Sequence, residues 1–136
     1  MNDVPYDRVM TSYARCLVNP AFFNRFYEIF TVSHPAILPM FAKTDMTKQQ
    51  HLLRHGIMSA LRYAESRDNL MARTCIDRIR ESHSRKQYAI SPELYPFWLN
   101  SLIQAVRETD PEFNPTLEEE WRQVLQPVVD YISSGY

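Results

Sequence analysis

His83 stands where an apolar helical stripe would place another core residue. Ala72, Cys75, Ile76 and Ile79 recur at the spacing of one helix face, and four residues beyond Ile79 comes His83. An imidazole there is either a hydrogen-bonded core histidine or a metal ligand, because its neutral form keeps one lone pair for a metal. The same test picks out Gln49, which lies three residues after Met46 and four before Leu53. It also picks out Tyr27, a phenol on the aromatic stripe of Phe22, Phe23, Phe26 and Phe30. An unpaired buried hydroxyl or amide costs about 1–3 kcal/mol, so each needs a partner. Either each one bonds a main-chain carbonyl, or something other than protein occupies the middle.

The remaining candidates carry weaker signals. His51 and His55 are spaced i, i+4 and would clamp a metal only with further donors. Both fall off the apolar stripe and are expected in solvent; a helix shifted by two residues would instead bring His51 inward. His34 precedes Pro35 and reads as the start of a turn. Cys16 and Cys75 have no metal-ligand spacing and do not make a disulfide framework, which points to a reducing compartment. Only two glycines occur, Gly56 and Gly135, too few for a hairpin-rich β fold or a phosphate-cradling loop.

The elements that must position these residues are helical. The first is expected over Tyr6 to Leu17. Asn19-Pro20 restarts the chain, with Asn as cap and Pro at the first helical position, for a second helix ending near Ser33. A third begins near Thr47, where Thr47 with Gln50 fits a capping box and Asp45 competes as the cap, and it ends near Ser66. A fourth runs from Asn69 to His83. Ser91-Pro92 opens a fifth, with Tyr95, Leu99, Leu102, Ile103 and Val106 inward. Thr116 with Glu119 is a second capping box, opening a last helix that buries Leu117, Trp121, Val124, Leu125, Val128 and Ile132, with a kink expected at Pro127.

The 136 residues fit one domain, 1–136, of all-α class. Fifteen Lys and Arg against 16 Asp and Glu leave a formal charge of −1. That balance gives no basic surplus for phosphates and argues against nucleic-acid binding. No apolar run is long enough to span a bilayer, and Met1 to Met10 lacks the apolar core of a leader. A cytoplasmic location is expected.

In order and spacing these residues resemble a globin. Phe26-Tyr27, His34-Pro35 and Pro39-Met40-Phe41 are similar to the second-helix and corner pattern of flavohaemoglobins and single-domain bacterial haemoglobins. Lys48-Gln49-Gln50-His51-Leu52-Leu53 resembles their distal helix. Ser82-His83-Ser84-Arg85, then Pro92-Glu93-Leu94-Tyr95-Pro96, resembles the proximal helix and the start of the next. Thr44-Asp45-Met46 is also similar to globin domains of bacterial sensor proteins.

The resemblance implies a globin fold of about six main helices around a pocket for haem b, with iron held by His83. Tyr27 and Gln49 would be the polar residues facing the gas, and Phe23, Phe41, Leu53, Tyr95 and Trp98 would line the pocket. Arg85 and Lys86 would meet the propionates. The ligands implied are oxygen, nitric oxide or carbon monoxide. The sequence departs from flavohaemoglobins in a slightly longer gap between His83 and Tyr95. It also lacks a match for their acidic residue near the proximal histidine, and no reductase domain follows, which argues against self-sufficient nitric oxide dioxygenation. Three readings stay open: a stand-alone gas-binding haem protein, with nitric oxide turnover through an external reductase; a gas sensor signalling to a partner; and a haem-free helical interaction domain.

Overall fold

The computed structural model describes residues 5–136, so the first four residues of the segment read for a leader lie outside it. It is built of six α-helices: α1 (Pro5–Val18), α2 (Phe22–Ser33), α3 (Met46–Glu65), α4 (Leu70–Ser82), α5 (Tyr95–Thr109) and α6 (Pro115–Ser133). Short 3-10 turns cover Leu38–Phe41 and Pro92–Leu94, and no strand occurs among the described residues.

The helices start where side-chain oxygens can take up free N–H groups, and three starts differ from the sequence expectation. The Asp45 carboxylate accepts from the N–H groups of Thr47 and Lys48, at 3.0 and 3.2 Å, so α3 is capped there and not by Thr47. A carboxylate also gains from the positive end of the helix dipole, which a hydroxyl does not. Asn114 accepts from Leu117 N–H at 2.8 Å with Pro115 at the first helical position, displacing the box at Thr116. The Asn19 side chain accepts from Ala21 N–H, making a tight turn through Pro20 that delays α2 to Phe22. Asn69 caps α4 through Ala72 N–H, and His83 is the C-terminal cap of the same helix. α6 continues to Ser133 with Pro127 inside it.

Packing follows the stripes. α1 lies on α6, α2 on α5, and α3 on both α4 and α6. Val9, Tyr13 and Cys16, Phe22 and Phe26, Ile57 and Leu61, Ile76, Leu99, Leu102 and Val106, and Trp121 and Leu125 form one continuous core. Burial of each large apolar side chain stabilises by about 1.5–3 kcal/mol.

A polar network sits inside that core. Ser12 Oγ donates to Asp110 at 2.6 Å and accepts from Trp121 Nε1 at 3.0 Å. Arg15 grips the same carboxylate through Nε and Nη2, at 2.6 and 2.9 Å. The Asp110 carboxylate has no solvent exposure. Burial alone would raise its pKa, but Arg15, the Ser12 hydroxyl and the Glu112 N–H together hold it below the usual carboxylate range. With the folded pKa below the unfolded one, the stability from Asp110 is complete above the unfolded carboxylate pKa of about 4 and is lost as pH falls through the folded value. Asp110→Asn is expected to lower stability at neutral pH by about 1.5–3 kcal/mol, with the loss shrinking at acid pH. Urea melts of both proteins at pH 7 and pH 3 measure this, and an equal gap at the two pH values would refute it.

Candidate functional site

The loop after α4 is tied down at every turn. Ser84 N–H donates to Glu81 O, Tyr88 N–H to Ser82 O, Ala89 N–H to Ser84 O and Ile90 N–H to His83 O. Ala89 takes a positive φ of 53°, a left-handed conformation uncommon outside glycine, which lets the loop close back on itself.

That loop holds the His83 ring, with Nδ1 against the Ser82 hydroxyl. Ser82 Oγ donates its one hydrogen to Ile79 O at 3.1 Å and lies 3.1 Å from His83 Nδ1. When the Ile79 carbonyl takes that hydrogen, the hydroxyl accepts from an Nδ1–H and leaves the lone pair on Nε2. Desolvation lowers the His83 pKa against an opposing contribution from the Ile79 carbonyl, so the ring is neutral at neutral pH. The Tyr88 ring stands edge-on at 6.2 Å and the Tyr95 ring is tilted at 6.5 Å.

A second group forms where α2 meets α3. Gln49 Nε2 donates to Tyr27 Oη at 3.1 Å, and the phenol has the Gln49 main-chain oxygen as a distant acceptor at 3.4 Å. Tyr27 is 6% exposed, and burial pushes its pKa up to about 12 against the hydrogen bond from Gln49. It therefore remains a protonated donor. The Phe41 ring packs on Tyr27 at 5.7 Å and on Phe30 at 6.2 Å. Trp98 joins through Phe26, which itself packs on Tyr27.

Leu53 is buried on α3, and Phe23 is half-buried against Phe22. Arg85 and Lys86 are exposed beside His83, with the Arg85 guanidinium 4.7 Å above the Tyr136 ring.

The other histidines are placed for different tasks. His34 Nδ1 accepts from Ala36 N–H at 3.0 Å, and its ring packs on Phe97. His51 and His55 are exposed, and His55 Nε2 lies 3.7 Å from Cys75 Sγ. Among the described residues no three His, Cys, Asp or Glu side chains converge, so the His51–His55 pair has no further donor. No helix among them is long and apolar enough to cross a membrane.

Sequence reasoning passed over Ser84, a buried residue whose hydroxyl has no hydrogen-bond partner, and Tyr88, an exposed ring against His83. Neither lies on an apolar stripe.

Six helices with one neutral imidazole after α4 and a phenol–amide pair between α2 and α3 define a class, the all-helical bundles with polar groups set into an apolar interior. A crystal structure of a protein from Pseudomonas aeruginosa PAO1, described as structurally highly homologous to a human hemoglobin, superposes with a TM-score of 0.92. It shares 41% sequence identity with this chain, covering 98% of each. No protein-family model matches the sequence, and neither does any curated protein. The chain belongs to the globins, in the bacterial single-domain form.

Proposed function

We propose that this globin binds haem b through His83 and takes up diatomic gases reversibly. The observation that carries the reading is the setting of His83: a desolvated, neutral ring at the end of α4, whose Nδ1 meets the Ser82 hydroxyl so that Nε2 can keep the lone pair a metal requires. A globin fold is in general a haem-binding fold, and the residues present fit that group. Haem would supply the ferrous iron at which a diatomic gas binds.

The chain's own residues then do the rest. Ser82 orients the His83 ring through its hydroxyl at Nδ1. Tyr27 offers a buried O–H whose nearest protein acceptor is poorly placed, so its hydrogen is available to a gas ligand carrying partial negative charge. Gln49 fixes the phenol by donating to its oxygen, and that donation makes the O–H more acidic as a hydrogen-bond donor. Phe41, Leu53, Phe23 and Trp98 supply apolar surface that keeps water from competing for the phenol and strengthens its electrostatics, and Tyr95 does the same beside His83. Lys86 and Arg85, beside His83, are the cations for the propionates. The Arg85 guanidinium, 4.7 Å over the Tyr136 ring, carries the N–H fork that suits a carboxylate.

Purified chain supplied with haem is expected to develop a Soret band that saturates at one equivalent, and acid extraction is expected to strip it completely. The sequence has no Cys-Xaa-Xaa-Cys-His for covalent attachment. Absence of the band after reconstitution would sink the reading and leave a haem-free helical protein.

A further inference from the structure

The segment after α6 runs back along the end of α4 and touches the chain on both sides of His83. On one side the Arg80 guanidinium lies 4.6 Å above the Tyr131 ring, and Arg80 Nη2 reaches Ser134 Oγ at 3.5 Å. Arg80 Nε is buried without a hydrogen-bond partner, so ring face and hydroxyl, not a full set of hydrogen bonds, hold this side chain. On the other side Arg85 N–H donates to the Tyr136 main-chain oxygen at 3.2 Å, and the Arg85 guanidinium stacks on the Tyr136 ring.

Between these anchors Gly135 lies directly against the Arg80 side chain, which any larger residue would have to displace. A Cβ on Gly135 would lie 2.4 Å from Arg80 Cγ. Gly135 has no positive φ, so the close approach and not backbone conformation calls for glycine there. Gly135 N–H and Tyr136 N–H donate to Ile132 O and Ser133 O, which curl the segment into a turn.

We propose that residues 133–136 are a strap that sets the orientation of His83, acting through Arg80 and Arg85 as positioning residues. His83 caps α4, and its ring direction depends on the last turn of that helix, where Arg80 sits, and on the loop from Ser84 to Ile90, where Arg85 sits. The strap fixes both to α6. A displacement of the strap therefore rotates the imidazole and alters the bond it makes to a metal. That consequence rests on His83 being the haem ligand, whereas the orientation itself is testable without haem.

Gly135→Ala drives a methyl into Arg80, and Tyr136→Ala removes the ring under Arg85 while keeping the main-chain oxygen. In haem-free protein, each variant is expected to shift the His83 ring resonances. Amide exchange at Arg85 and Ile90 should quicken roughly fivefold, equivalent to about 1 kcal/mol, while amides of α1 and α2 hold their rates. In the haem-loaded ferrous protein, the iron–histidine stretching band should move in both variants. Unmoved His83 ring resonances in both variants overturn the proposal, even where exchange quickens, because the strap would then only brace the helix end. An unmoved stretching band in loaded protein overturns its consequence for the metal. A chain that takes up no haem refutes the haem reading, and the strap then stands or falls on the ring resonances alone.

Discussion

Replacing His83 by alanine is expected to abolish axial ligation of haem while leaving the stability of the haem-free chain nearly unchanged. The two halves of this expectation separate a ligand from a core histidine. The ring is only partly buried, and its backbone N–H, which closes α4 by donating to Ile79 O at 2.9 Å, survives the substitution. Ser82 Oγ keeps its bond to the same carbonyl and is not orphaned. A loss below about 1 kcal/mol follows, since no cavity in a sealed core and no unpaired buried group results.

Ligation, by contrast, has no substitute. His34 is committed through Nδ1 to the Ala36 N–H, and His51 and His55 are exposed on α3. The ferrous spectrum of His83→Ala should therefore lose its histidine signature. Added imidazole should restore it by entering the space between Tyr88 and Tyr95. A variant that keeps the native spectrum, or one that imidazole does not repair, would show that another residue holds the iron. A large drop in haem-free stability would instead identify His83 as a structural core residue.

The parts of this protein that the sequence reveals are those governed by local period. Each helix follows an apolar stripe, and each site residue first noticed is a polar interruption of one. The end of α4 at His83 is legible because caps act over a few residues, and Asn19-Pro20 marks the break between α1 and α2 although α2 itself starts two residues later, at Phe22. The caps lie two positions earlier where two capping side chains compete and only geometry decides, at Asp45, which the sequence offers beside Thr47, and at Asn114 in place of Thr116.

Ser12 was missed although the same test reaches it: it lies three residues after Val9 and four before Cys16, on the buried face of α1. Its partners Asp110 and Trp121 are about a hundred residues away in the chain, and no local pattern announces such a pairing. The strap at Gly135 is of the same kind, since its glycine lies against Arg80 on another helix. The partners of the His83 ring are also beyond the sequence, because the Ser82 hydroxyl and the Ile79 carbonyl meet only where the last turn of α4 closes.

Tyr27→Phe is expected to speed oxygen release from the haem-loaded protein by roughly tenfold to a hundredfold. The substitution removes one hydroxyl and keeps the ring that packs on Phe26 and Phe41, at 5.0 and 5.7 Å. A hydrogen bond to a partly charged acceptor contributes about 1.5–3 kcal/mol, which sets that range of rates. Carbon monoxide acquires little charge, so its release should change far less, and the ratio of the two effects reports the electrostatic part. The geometry assigns unequal roles to the pair. The phenol has no good protein acceptor for its proton, whereas the Gln49 amide already donates to the phenol oxygen at 3.1 Å. Gln49→Leu should then have a smaller effect than Tyr27→Phe. The double variant should resemble Tyr27→Phe alone, because Gln49 acts through the tyrosine and the two losses do not add. Stopped-flow release measured on the three variants decides the matter. An unchanged rate in Tyr27→Phe beside a large rise in Gln49→Leu would make the amide the direct donor and reverse the assignment.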